Sequence, residues 1–208
     1  DAEMLAFSQG VTRRGSYAAY LHMSHPEIEE FLDGRKPTGG DTNRKFLNLH
    51  HGVVVPDAFM ELIHLATKQP DFDDSWELVD PHTQQVVKTV SARALWVKIL
   101  QNRMETGEPY FMFEDAVKSE LPDFQKRKGL EVHHSNLCSE ITLATNDERT
   151  AVCCLSSVNL EYYDEWKKVP AFIPDLIRML DNVLDYFIEA APSQLEKAKF
   201  SAYRERSI

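Results

Sequence analysis

The sequence has 208 residues, of which 43% are hydrophobic and 27% charged, which is enough for the core of one domain. A net charge of −10 argues against a nucleic-acid surface, which needs clustered lysine and arginine. No run of about 18 apolar residues predicts a membrane span, and the first ten residues lack the pattern of a signal peptide, so we expect a soluble protein.

The first predicted element is a loop followed by a strand. Gly10 and Gly15 bracket Arg13 and Arg14, which makes a flexible loop with cationic side chains, suited to reach a phosphate or a base edge. The next residues, 16–21, read as a strand. A solvated turn in front of a strand is the alternative interpretation.

A helix, a strand and a second helix are predicted next. Pro26 lies at a favoured first helical position and Gly34 at a stop. Residues 46–56 are nearly continuous in apolar side chains and predict a buried strand. Asp57 is expected to cap a helix over Ala58–Lys68.

The middle of the chain predicts a surface hairpin, a helix and a strand. Its hairpin strands are residues 76–80 and 85–90. Ser91 should cap the helix and Gly107 should end it; its apolar stripe is Leu95, Trp96, Ile99 and Leu100. Residues 109–117 read as the next strand.

Near the end of the chain, apolar residues recur at helical spacing over 172–188, which predicts a core helix that ends before Pro192. A more charged helix is expected from Ser193 to Arg206, nearer the surface. The alternation of helices and strands is typical of an α/β fold with largely parallel strands. We see one compact unit over residues 1–208, without a separate second domain.

Residues 133–157 hold the reactive side chains. Asn136, Cys138 and Glu140 alternate, so in an extended segment an amide, a thiol and a carboxylate would share one face. Cys153 and Cys154 follow after a polar turn. An odd cysteine count without a disulfide framework indicates reduced thiols and a cytoplasmic protein. Free cysteines also serve as small buried hydrophobes, which is the plain alternative.

The strings NLCSEI and AVCCLSSVNL resemble the active-site core of the large (alpha) subunit of class I ribonucleotide reductases. Leu137 and Ser139 favour class I, because adenosylcobalamin-dependent relatives more often show a proline and a glycine there. The segments RRGSYAAYLHMSHPEIEEFLDGRK and AYRERSI extend the resemblance over nearly the whole chain. It implies an incomplete part of a ten-stranded α/β barrel that reduces ribonucleoside diphosphates to 2′-deoxyribonucleotides, for DNA precursor synthesis, by thiyl-radical chemistry.

The resemblance also implies residue roles. Cys138 would carry the thiyl radical, Glu140 would be the general base, and Asn136 would bind the sugar hydroxyls. Cys153 would be one of the reducing cysteines, with Cys154 packed on the opposite side of an extended strand.

Further implied roles concern the arginine loop and the partners. Arg13 and, less securely, Gln9 would contact substrate, in a loop from Gly10 to Gly15 that carries information from an allosteric effector nucleotide. The segment would bind no cofactor or metal itself, and a small subunit would hold a metal-based radical cofactor. Other expected partners are the remaining large-subunit segments, a second large subunit and the nucleotide substrate.

The sequence does not begin with Met, so we expect a processed chain or a piece of a longer protein that is inactive alone.

Three alternatives stay open. His133, His134 and the three cysteines could bind zinc, although the usual ligand spacings are missing. Cys138 with one of those histidines could be the nucleophile and base of a cysteine hydrolase. The chain could also be a non-catalytic assembly segment, since unpaired strand edges seek a partner.

Overall fold

The computed structural model describes residues 3, 6, 8–9 and 13–208. The described strands are β1 (Ser8–Gln9), β2 (Arg13–Arg14), β3 (Ala18–His22), β4 (His50–Val55), β5 (Ser75–Val79), β6 (Val86–Ser91) and β7 (Tyr110–Phe113). The helices that follow β3 are α1 (Ile28–Gly34), α2 (Asp57–Lys68), α3 (Ala92–Thr106), α4 (Glu114–Glu120), α5 (Asp123–Lys126), α6 (Tyr163–Trp166), α7 (Phe172–Ala190) and α8 (Glu196–Glu205). None of these described helices is long and apolar enough to cross a membrane.

A parallel sheet in the order β3-β4-β7 forms the centre of the first compact unit, Asp1–Gln125 with Val132–Thr142. Parallel neighbours need crossover connections. Helix α1 lies in the crossover from β3 to β4, and α2, the β5–β6 hairpin and α3 lie in the crossover from β4 to β7. The predicted parallel α/β architecture is confirmed.

The two faces of this sheet have different partners, because successive side chains point to opposite faces. One face, with Val53 and Val55, packs against the helices and the hairpin. That core consists of Met23, Ile28, Leu32, Val53, Val55, Phe59, Leu78, Ala92, Leu95 and Ile99. On the other face Val54 and Met112 pack with Leu121 and Val132. The segment that begins at Val132 therefore lies on the face opposite the helices, and we call this the open face.

Several local predictions are confirmed. The β5–β6 hairpin forms as an antiparallel pair. Ser91 caps α3 by accepting a hydrogen bond from Ala94 N at 3.1 Å, and Gly107 ends it with a left-handed φ of 79°. Of the predicted stripe on α3, Leu95 and Ile99 are buried, but Leu100 is 39% exposed.

Three boundaries differ from the prediction. The strand expected over 109–117 stops at Phe113, where α4 begins with two acidic residues in its first turn, a favourable place for negative charge. The strand expected over 46–56 is only His50–Val55. Asp57 is not the cap of α2: the cap position is Pro56, and the Asp115 carboxylate accepts the Asp57 N–H at 2.8 Å.

The second compact unit comprises Lys126–Glu131 and Leu143–Ile208 and contains the packed helices α7 and α8. The helix predicted over 172–188 forms, but the prediction that it is a core helix is wrong. Of the described residues of α7, only Leu184 is buried. Ile177 and Val183 are each 48% exposed. Helical periodicity identifies the face that seeks apolar contact, and it carries no information about where the contacting residues lie.

A buried ionic cluster joins α1, β4 and the start of β7. The Glu108 carboxylate, 6% exposed, lies 3.0 Å from Arg35 Nε and 2.6 Å from His50 Nδ1, and it accepts the His51 N–H at 2.9 Å. The His51 ring stacks on Phe31 with 4.3 Å between ring centroids. Burial lowers the pKa of His51 to about 4, because a buried imidazole pays to become charged.

This pKa predicts acid sensitivity. Above pH of about 6.5, the ordinary histidine value, His51 is neutral in both folded and unfolded chains, so its contribution to stability is complete. Between pH of about 6.5 and the folded-state value of about 4, only the unfolded chain binds the proton, and the free energy of unfolding should fall by up to about 1.4 kcal/mol per pH unit. Urea denaturation from pH 7.5 down to pH of about 4 measures this fall. His51→Phe should flatten the profile, whereas His82→Asn at an exposed histidine should not; equal slopes in all three proteins would contradict the assignment.

Candidate active site

The segment predicted to be extended is a turn at its centre. Asn136 O accepts a hydrogen bond from Ser139 N at 3.3 Å, and Leu137 and Cys138 occupy the corner. Ser139 has a left-handed φ of 65°, which costs a residue with a side chain roughly 1–2 kcal/mol. The prediction that Asn136, Cys138 and Glu140 share one face of an extended segment is therefore wrong. Asparagine side chains bond to nearby backbone groups and so compete with extended structure.

The turn nevertheless joins the amide and the carboxylate directly. Asn136 Oδ1 accepts from Glu140 N and Ile141 N, each at 3.1 Å, and Asn136 Nδ2 donates to Glu140 Oε1 at 2.9 Å. Ser135 Oγ donates to Ile141 O at 2.6 Å and closes the base of the turn. Cys138 is exposed at the corner between them. The structure thus places a thiol on a turn that holds an amide and a carboxylate in fixed contact.

Tyr20, on β3, ties this turn to the sheet. Its hydroxyl donates to Asn136 O at 2.9 Å, and its oxygen lies 2.6 Å from Ser139 Oγ. A phenol has one proton to donate, so the Ser139 hydroxyl must donate to the Tyr20 oxygen. Both ends of the turn are therefore anchored to one side chain of the open face.

Gly52 makes this contact possible. It pairs with Tyr20 in the register of β3 and β4, and a Cβ at this position would lie 2.9 Å from Tyr20 Cζ and closer still to Cδ1 and Cε1. Only a residue without a side chain allows the ring to lie over the middle strand. A glycine within a strand is a known signal of such a close approach.

Gly52→Ala is expected to destabilise the protein by about 1–3 kcal/mol, the usual cost of overpacking. Urea denaturation measures this difference in unfolding free energy. In a Tyr20→Ala background the ring is gone, and the same substitution should cost much less. Equal costs in the two backgrounds would show that the ring and the glycine are not coupled.

A second tyrosine, Tyr110, completes this row of the sheet. It pairs with Gly52 from the side of β7, and its ring stacks on His50 with 6.1 Å between centroids. Burial raises the pKa of Tyr110, and negative charge on Glu108 and Cys138 raises it further. The Tyr110 hydroxyl therefore stays protonated near neutral pH.

A cavity of about 460 Å³ opens beside the turn. Its lining comes from β3 with the residues before it and from the thiol segment: Ser16, Tyr17, Ala18, Ala19, Tyr20, His134, Ser135, Asn136 and Leu137. A volume of this size suits a small organic ligand.

The residues of the arginine loop are only partly described. Gln9 and Arg13 pair with each other across β1 and β2, so the ends of the predicted loop form a short antiparallel ladder. Gly10 lies outside the described residues, and Gly15 is half-buried after β2.

Cys153 and Cys154 are half-buried thiols of the second unit. They lie in irregular backbone, so the predicted extended strand is not formed as a ladder, and Cys154 N donates to Ser207 O at 3.0 Å.

The geometry gives little support to a zinc site or to a cysteine hydrolase. Among the described residues, no group of three or more His, Cys, Asp and Glu side chains could hold a metal ion. His133 and His134 are both exposed, and the His134 ring lies 6.3 Å from that of Tyr20. A cysteine hydrolase needs a histidine oriented by hydrogen bonds towards the thiol, whereas the bonds described in this segment join Asn136, Glu140 and Tyr20.

Comparison with known proteins gives a consistent result. The family model for the ribonucleotide reductase barrel domain matches residues 1–208. The large subunit of ribonucleoside-diphosphate reductase from Invertebrate iridescent virus 3 is 43% identical over 255 residues, which cover 100% of this chain and 40% of the relative. That of Invertebrate iridescent virus 6 is 50% identical over 149 residues, covering 71% of this chain and 15% of the relative.

A solved structure agrees. The alpha subunit of the class Id ribonucleotide reductase of Actinobacillus ureae superposes with a TM-score of 0.73 at 34% identity, covering 94% of this chain and 33% of that one. This chain thus spans well under half the length of these relatives. The resemblance noted from NLCSEI and AVCCLSSVNL is confirmed: the chain belongs to the ribonucleotide reductase family, as a segment of the barrel domain of the large subunit.

Proposed function

We propose that this chain supplies the central part of the catalytic barrel of a ribonucleoside-diphosphate reductase. The observation that carries the proposal is the turn on the open face, where an exposed thiol lies between an amide and a carboxylate in direct contact. The adjacent cavity has room for a small organic ligand at this turn. Because the family match spans residues 1–208, we assign both compact units to the same barrel domain.

Radical chemistry is proposed because the 2′-hydroxyl of a ribose is difficult to remove. Hydroxide leaves poorly from an unactivated ribose carbon, but a radical at the neighbouring carbon makes its loss feasible. Cys138, as a thiyl radical, would take the 3′-hydrogen atom, after which the 2′-hydroxyl would leave as water with a proton from one of the reducing thiols. Cys138 would return the hydrogen atom to the 3′-carbon at the end of the turnover. The unpaired electron would come from a metal-based radical cofactor of a separate small subunit.

Glu140 and Asn136 would handle protons and orientation. Asn136 Nδ2 engages only Oε1 of Glu140, so the second carboxylate oxygen can accept the 3′-hydroxyl proton as general base. The Asn136 amide group would hold the sugar hydroxyls. Fixing both groups in one hydrogen-bonded turn reduces the entropy that the reaction must otherwise lose.

Other residues complete the reaction. Cys153 would be one of two thiols whose oxidation to a disulfide supplies the two electrons that each turnover consumes. Arg13, in the loop bounded by Gly10 and Gly15, would contact the nucleotide together with Gln9, which directly precedes that loop. The loop would respond to an effector nucleotide. We propose as partners the remaining segments of the large subunit, a second large subunit and the small subunit, in the cytoplasm.

The test is reconstitution. The chain, the remaining large-subunit segments and a radical-generating small subunit from the same source are combined, and conversion of labelled nucleoside diphosphate to its deoxy form is measured. We expect product only when all parts are present. A complex that assembles completely and yields no deoxynucleotide would refute the catalytic proposal and leave the assembly-segment alternative.

A further inference from the structure

We propose that Tyr20 is a positioning residue that fixes the turn carrying Cys138, and that Gly52 is required because it gives the Tyr20 ring access to that turn. The inference rests on the proposed function only for its catalytic consequence. Its structural part rests on contacts within one compact unit, between the parallel sheet and residues 135–141.

Tyr20 links a paired strand to an irregular turn, which suits a positioning role. A rigid strand, paired on one side with β4, supplies Tyr20. The turn supplies a backbone carbonyl, Asn136 O, and a side-chain hydroxyl, Ser139 Oγ. One phenol therefore bonds the residues immediately before and after Leu137 and Cys138. Displacement of the turn backbone that carries the thiol would strain these bonds.

The turn needs such an anchor. Ser139 has a positive φ of 65°, which a residue with a side chain seldom adopts, and Cys138 is exposed. The bonds that Asn136 Oδ1 accepts from Glu140 N and Ile141 N hold the segment that follows Ser139, but they do not attach it to the sheet. Tyr20 provides that attachment and so relates the position of the thiol to the open face and to the cavity.

Hydrogen exchange of individual amides tests the structural part on the full chain. In Tyr20→Phe, which keeps the ring and loses both bonds, the amides of Ser139, Glu140 and Ile141 should exchange at least about fivefold faster, the factor that one typical hydrogen bond represents. Ser139→Ala loses one bond and should show a smaller increase. Tyr162→Phe removes a hydroxyl from a half-exposed tyrosine of the other unit and is the matched control, with no change expected at these amides.

The outcomes separate positioning from general stability. Faster exchange confined to residues 139–141, with the amides of α3 unchanged, supports the proposal. Unchanged exchange in Tyr20→Phe overturns it, as does an equal increase in α3, which would indicate loss of global stability. If Tyr20→Phe does not fold, Ser139→Ala answers the same question, because it removes only one hydroxyl.

In the reconstituted reductase, Tyr20→Phe should lower kcat at saturating nucleotide by about tenfold, because more substrate does not correct a misplaced thiol. A purely structural role would lower the amount of folded protein and leave kcat per folded molecule unchanged, which would overturn the catalytic part. If the wild-type assembly makes no deoxynucleotide, the proposed function fails, while the exchange result still decides whether Tyr20 fixes the turn.

Discussion

Cys138→Ser should abolish nucleotide reduction in the reconstituted enzyme, by at least about a thousandfold, the scale seen when a group that takes part in bond breaking is removed. A serine hydroxyl is nearly the same size and can occupy the same corner of the turn, but its O–H bond is too strong to yield a radical that a protein can generate and use. The exposed position of Cys138 means that this substitution should not disturb packing. The measurement is deoxynucleotide formed per assembled complex, together with hydrogen exchange of residues 139–141 to verify that the turn is intact.

Cys154→Ser is the matched control for this experiment. It replaces a half-buried thiol in the second unit, and we expect activity within about threefold of wild type, because a conservative change outside the reacting groups has a small effect. Activity retained in Cys138→Ser would remove Cys138 from the radical role. Activity lost in Cys154→Ser would instead point to Cys154, and not Cys153, as the reducing thiol.

Much of the fold could be predicted because its signals are local. The cap at Ser91, the stop at Gly107 and the β5–β6 hairpin depend on residues within a few positions of each other. The errors arose where distant groups decide the outcome. The Asp57 N–H bonds to Asp115, 58 positions along the chain, while Pro56 takes the cap position of α2. Helix α7 has an apolar face, but of its described residues only Leu184 is buried.

The reactive roles assigned to residues of the candidate site stay predictions, whereas the contacts that support these residues were not predicted from the sequence. Asn136, Cys138 and Glu140 were identified by their types and by resemblance, but their geometry depends on an asparagine side chain that folds the segment into a turn. Tyr20 acts across 116 positions of sequence, and no local pattern reveals a contact of that kind. The one available signal was Gly52 inside an otherwise apolar strand, which indicates a close approach without naming what approaches.

Glu140→Gln should lower kcat of the reconstituted enzyme by about 10²–10⁴-fold, the usual contribution of general acid–base catalysis. The substitution suits the test because glutamine keeps the size of the side chain and an oxygen that can accept from Asn136 Nδ2, now 2.9 Å from Oε1. The bonds from Glu140 N and Ile141 N to Asn136 Oδ1 involve only backbone donors and should survive. What disappears is the ability of this side chain to take a proton from the 3′-hydroxyl.

Glu120→Gln, at an exposed carboxylate of α4, is the control and should leave kcat unchanged. Nucleotide affinity, measured by equilibrium dialysis, should change much less than kcat in Glu140→Gln, because the lost interaction belongs to the proton transfer and not to ground-state binding. If kcat stays within about threefold of wild type, Glu140 is not the base, since general-base catalysis contributes at least about 10²-fold. If affinity falls as much as kcat, the carboxylate holds substrate and another group takes the proton. Asn136 cannot be that group, because an amide has no proton-accepting function near neutral pH, so the base would have to come from outside this turn.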